Sequence, residues 1–183
     1  ASSGTIAGSN ANRFVVGNLA RWIRTAGGSV AYDFPVGSLT RALANLRFRA
    51  VTTGNYVRVA TVAGDHPQIA TSGINPALSV NRYWTVANLG VVFNVAAPQR
   101  RMIFNWVAAD RDGGSNPNAY VAKRYSGGAW SDTDLSPGRT ATSITLNPYL
   151  ALGDFAIGEP LTVVVPGGFN AFDMVWVMTQ GGP

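Results

Sequence analysis

Apolar and polar residues alternate along most of this chain in short runs, with glycine, proline, asparagine and aspartate gathered between the runs. Leu46-Arg47-Phe48-Arg49-Ala50 shows the two-residue period of a strand with one buried face. Tyr56 to Val62 follows after Thr53-Gly54-Asn55, which reads as a hairpin turn. Arg82 to Val86 and Val91 to Val95 flank another turn-sized gap, Asn88-Leu89-Gly90. Met102, Phe104 and Trp106 share one face of the next run, with Ile103, Asn105 and Val107 on the other. Ala119 to Tyr125, Thr142 to Leu146, Asp154 to Ile157 and Leu161 to Val165 continue the series. About ten or more short strands punctuated by turns predict an all-β fold, an antiparallel β-sandwich of Ig-like or jelly-roll-like type.

Little helix is expected. Only Leu39 to Leu46 suggests a turn or two, because Ser38 can cap it and Leu39, Leu43 and Leu46 share a helical face. The aromatic residues Trp22, Tyr32, Phe34, Trp84, Phe93, Phe104 and Trp106 fall on strand-like runs and are expected to fill the core.

A chain of 183 residues suits one sandwich domain, read as residues 1–160, followed by a segment of different character at 161–183. Leu161, Val163 and Val165 belong to a strand-like run, Pro166-Gly167-Gly168 to a turn or linker, and Val175, Trp176 and Val177 to a second apolar run. Apolar strands left in water are a hazard, so these runs belong either in the domain's own sheet or in that of a neighbour.

Composition narrows the class. A hydrophobic share of 46% and a charged share of 13% exclude a disordered chain and suit a secreted β protein. The absence of cysteine removes disulfides, cysteine nucleophiles and cysteine zinc sites. The start at Ala1-Ser2-Ser3-Gly4 suggests a mature exported protein, located outside the cell or on its surface. No apolar stretch approaches the roughly 20 residues of a membrane-spanning helix. The net charge of +5 permits an acidic partner, yet no basic run exceeds Arg100-Arg101. The arginines are therefore expected at solvent-facing strand positions, with no nucleic-acid partner.

Catalytic chemistry is poorly provided for, and no catalytic residue or organic cofactor is expected. His66 is the single histidine and sits in Gly64-Asp65-His66-Pro67, a loop-like setting that suggests the surface. Asp65, its neighbour, is badly placed to orient it in a Ser-His-Asp triad. Glu159 is the single glutamate, and the carboxylates are not grouped as a glycosidase pair requires. Two binding possibilities remain. Asp110, Asp112 and Asn116 lie on a glycine-rich loop with the oxygen ligands that calcium favours, although the same residues also make turns. Trp22, Trp84 and Trp130 could provide a stacking platform for a glycan.

Several motifs follow one another along the chain: Gly4-Thr5-Ile6-Ala7-Gly8, Arg13 to Arg21, Phe34-Pro35-Val36-Gly37, Asn81-Arg82-Tyr83-Trp84, the loop Asp110 to Asn116, Arg124-Tyr125 with Trp130, and Gly153 to Gly158. Their order resembles a β-sandwich repeat of large secreted bacterial surface proteins and adhesins, many exported by the type IX route. The resemblance covers about Gly4 to Glu159 and implies a module of a cell-surface assembly, with no catalytic residues to carry over. The function expected first is a structural subunit of an extracellular filament, a homopolymer joined by terminal β-strand addition. Its donor would be Leu161 to Met178 or the small-residue N-terminus Ala1 to Asn12. The alternative is a monomeric adhesion or carbohydrate-binding module that recognises a glycan or a host or cell surface.

Overall fold

The computed structural model describes residues 6, 8–94, 101–133, 138–146 and 151–162. Alternation dominates from the start. β1 (Val15–Val16), β2 (Leu19–Ile23), β3 (Ala26–Phe34) and β4 (Val36–Gly37) lead to two long strands, β5 (Ala44–Thr53) and β6 (Asn55–Ala63). The fifteen-residue β7 (Ile74–Asn88) is followed by β8 (Val92–Phe93) and β9 (Arg101–Asn105). β10 (Val121–Ser126) and β11 (Ala129–Asp132) form a hairpin, as do β12 (Gly138–Thr140) and β13 (Ser143–Leu146), before β14 (Gly153–Pro160).

These strands make two antiparallel sheets. The first runs β11-β10-β14-β7-β6-β2, and the second runs β12-β13-β9-β5-β3 with β8 added beside the upper part of β5. The inner faces meet in one cluster that includes Phe34, Phe48, Trp84, Phe104, Phe155 and Ile157. Burying each such side chain contributes roughly 1.5–3 kcal/mol, so this cluster is the main stabilising feature. The sandwich expected from the alternation is therefore what forms. Met102, Phe104 and Trp106 all point inward as their spacing requires.

Three local expectations need correction. Leu39 to Leu46 is not helical: Leu39 is 88% exposed, Ser38 N–H bonds the Thr40 carbonyl in a tight loop, and β5 has begun by Ala44. Trp22 is not core but 38% exposed. Arg82 is not solvent-facing, for it shares the inward parity of Val80, Trp84 and Val86 on β7.

The motif segments meet in space at the small parallel pair β1–β4. Val15 N–H bonds the Pro35 carbonyl at 2.8 Å, and the Phe14 ring packs against Gly37. Any β-carbon at Gly37 would collide with that ring, which explains the glycine in Phe34-Pro35-Val36-Gly37. Gly158 plays the same part where β14 crosses β7, since a β-carbon there would sit 2.6 Å from Ile74.

Candidate functional site

Polar side chains from separate segments converge where β4, β7 and the 3-10 turn Ala108–Asp110 meet. Arg82 reaches inward along β7 and places Nε and Nη2 each 3.0 Å from the two oxygens of Asp110, a bidentate fork. Its Nη2 also bonds Thr40 Oγ1 at 2.5 Å, and Nη1 bonds Thr61 Oγ1 at 3.3 Å. Asp110 further accepts from the Thr40 hydroxyl and from the Val107 amide. A charge taken out of water requires partners of this kind. The neighbouring Asp112 accepts from Ser79 N–H at 2.8 Å and from Asn81 Nδ2 at 2.7 Å. Ser79 Oγ lies 2.8 Å from Asp65 and 3.3 Å from Asp112, so two carboxylates border one hydroxyl. Burial, together with the nearby Asp112, pushes the Asp65 carboxyl up from its ordinary value, against the lowering effect of Ser79.

This geometry redirects the calcium candidate. Asp110 is held by Arg82, Asp112 by Ser79 and Asn81, and Asn116 caps the next 3-10 turn by accepting from Asn118 N–H. Their oxygens are committed to protein donors, as the turn reading of this loop requires. Among the described residues no group of three His, Asp or Glu side chains is placed to hold a metal ion.

His66 departs furthest from its sequence setting. It is 5% exposed, not a surface loop residue. Tyr83, Tyr125 and Trp130 surround it on the outer face of the first sheet, each ring centroid 4.9 Å away. Nδ1 accepts from Gln68 N–H at 3.1 Å, so in the neutral ring Nε2 carries the proton and donates to Asp154 Oδ2 at 3.3 Å. Trp130 Nε1 donates to the Gln68 carbonyl at 2.9 Å and fastens the same loop. One imidazole nitrogen thus braces the loop 64–73 internally through Gln68, and the other ties it to β14 through Asp154.

The three tryptophans do not form one platform. Trp84 is fully buried and donates to the Ala42 carbonyl. Trp22 and Trp130 sit on the opposite edge strands of the first sheet, five strand spacings or roughly 24 Å apart. What sequence reading missed is the partner of Trp22. Tyr56 stands directly opposite on β6, 45% exposed, with its ring edge-on to Trp22 at 5.3 Å. The alternation at Tyr56, Arg58 and Ala60 was the available signal, since it puts Tyr56 outward. Two grooves among the described residues measure about 250 Å³, between Ile6, Arg13, Phe14 and Pro35, and about 120 Å³, between Gly73, Val121, Lys123 and Pro160. Both fall below the roughly 300–1,000 Å³ usual for small-molecule pockets.

Sheet edges offer a different kind of contact. Among the described residues β3 ends the second sheet, and it is nine residues long, against five for β2, four for β11 and three for β12. Its edge is partly guarded. Arg21 of β2 donates to the Asp33 carbonyl at 2.6 Å and lies 5.2 Å from the Tyr32 ring centre, and a bulge displaces Ala26 from Ser29. Of the expected donor residues, Leu161 is described: it is half exposed and its N–H bonds the Gly73 carbonyl at 2.7 Å. Val163, Val165, Val175, Trp176 and Val177 lie outside the described residues, as does the start of the N-terminal alternative. Comparison with protein-family models, curated proteins and solved structures returned no match.

Proposed function

We propose that this chain is a secreted, non-catalytic structural subunit of an extracellular filament or cell-surface assembly, joined to its neighbours by addition of a terminal β-strand. One observation carries the reading. Among the described residues, the buried core runs from Ile23 to Ile157, and both of its layers are built from strands that end by Pro160. The apolar runs that follow in the sequence are assigned to another molecule's sheet, where apolar strands are kept out of water. A strand added to β3 would gain a row of backbone hydrogen bonds, and a head-to-tail contact of this kind propagates without closing. The commitment of His66, Asp110 and Asp112 to structural partners supports the non-catalytic part.

Electron microscopy of the full chain, concentrated and after mild heating, tests this. Filaments are expected, and they should be lost on Val175→Asp with Val177→Asp and on Ser29→Lys with Ala31→Lys, which charges exposed positions of the β3 edge. Monomers alone under all conditions would end the proposal.

A second reading, a monomeric carbohydrate-binding module, is favoured by the exposed pair Trp22 and Tyr56. It requires glycan-array binding that disappears on Trp22→Ala.

A further inference from the structure

The register of the second sheet brings like charges together. Arg47 on β5 stands directly opposite Arg101 on β9, and both alternate with buried residues (Leu46, Phe48 and Met102), so both point outward. Facing β-carbons in an antiparallel pair lie roughly 4.5–5.5 Å apart, and like charges so placed repel. Neither guanidinium takes part in the ion pairs formed among the described residues. Asp33 lies diagonal to Arg47, but its carboxylate accepts from Asn45 Nδ2 at 2.5 Å. Arg49, which makes a contact of its own, is two residues along β5 on the same face, roughly 7 Å away.

The rest of that face is mostly small or polar, with Ile103 of β9 as its one large apolar side chain between Asn45 and Thr145 among the described residues. Ser29 and Ala31 flank the arginines on β3, and Asn45, Asn105 and Thr145 extend the surface below them. Small side chains beside Arg47 and Arg101 leave these two forks open to a ligand lying across the strands. Guanidinium groups match carboxylates in a planar, two-bond geometry. The outward positions of β3, β5 and β9 hold no aromatic ring on which a base could stack. Acidic sugars fit that combination better than single-stranded nucleic acid does.

We propose that Arg47 and Arg101 form an anion-binding pair that takes a carboxylate-bearing polysaccharide laid across β3, β5 and β9. The ligand would supply the negative charge that the fold omits between Arg47 and Arg101. This face is separate from strand addition, and it stands whether or not the chain polymerises.

The test is calorimetric titration of the full chain with polygalacturonate, at low and high salt, with a neutral galactan and duplex DNA as comparisons. The wild type should bind polygalacturonate, lose affinity as salt rises, and ignore the neutral polymer. Arg47→Gln with Arg101→Gln should weaken binding by about tenfold or more while leaving the thermal midpoint intact. Arg58→Gln, on the outer face of the other sheet, should leave binding unchanged. Three results would overturn the proposal: no binding by the wild type, equal binding by the double variant, or tighter binding of DNA than of polygalacturonate.

Discussion

The two sheets share one core, but Arg82 in the first and the Arg47–Arg101 pair in the second are placed in opposite ways. In the first sheet, Arg82 is drawn inward and meets Asp110, Thr40 and Thr61, while His66 on the outer face is covered by three rings and tied to Asp154. In the second sheet, Arg47 and Arg101 stand side by side on the open face without ion pairs among the described residues. The first arrangement fastens loops to the sandwich, since Arg82 and Asp110 tie Ala108–Asp110 and Thr40 to β7. The second fastens nothing within the domain. The same residue type is thus part of the scaffold in one sheet and free to meet a partner in the other.

The sharpest way to break this contrast is to delete both kinds of arginine. Arg82→Ala strands the buried Asp110 carboxylate and should cost about 3–5 kcal/mol. Against the roughly 5–15 kcal/mol that holds a typical domain together, this would move the urea midpoint far down. Arg47→Ala should stay within about 0.5 kcal/mol of wild type, because an exposed and repelled charge contributes little. Equal midpoints for the two variants would remove the distinction between the sheets.

The sandwich was legible because alternation survives translation into three dimensions. Met102, Phe104 and Trp106 read as one face and are one face. Partnerships across distance were not legible. The loop Asp110 to Asn116 displays oxygens suited to a cation, but Arg82, 28 positions earlier in the chain, claims Asp110. His66 stands between residues that signal a loop, and the sequence does not say that this loop lies against Tyr83, Tyr125 and Trp130. Arg82 could have been placed by parity with Trp84 and Val86, had its charge not argued for the surface. Leu39 to Leu46 misled for a related reason: three leucines fit a helical spacing by accident, whereas Thr40 is drawn into the Arg82 network and Leu39 is left in water.

A smaller effect sharpens the picture of the first sheet. His66→Ala removes a ring enclosed by three others and frees the loop at 64–73 from Asp154. A cost of about 1–3 kcal/mol is expected from the lost packing and the cavity left behind. Trp130 fluorescence should shift toward that of a solvated indole, since its ring loses the imidazole it covers. An exposed loop histidine would change neither quantity, so unaltered stability and emission would contradict the enclosed arrangement.

The smallest effect concerns Asp65, where the first sheet's network is least well balanced. Its carboxyl titrates above the ordinary value of 3.8 because burial, and secondarily Asp112, disfavour the ionised form. A group raised in this way stabilises the fold fully below its unfolded value, and that contribution is lost as pH rises through the raised one. At neutral pH the ionised carboxylate is therefore a cost, kept small by solvent screening around a side chain that is only partly buried. Asp65→Asn keeps an acceptor for the Ser79 hydroxyl and removes the charge. Its unfolding free energy should exceed that of the wild type by about a few tenths of a kcal/mol at pH 7, with the difference vanishing below 3.8. Urea titrations of both proteins across this range would decide it: a gain that grows as pH falls would mean that Asp65 serves the fold as an anion after all, as Asp110 does.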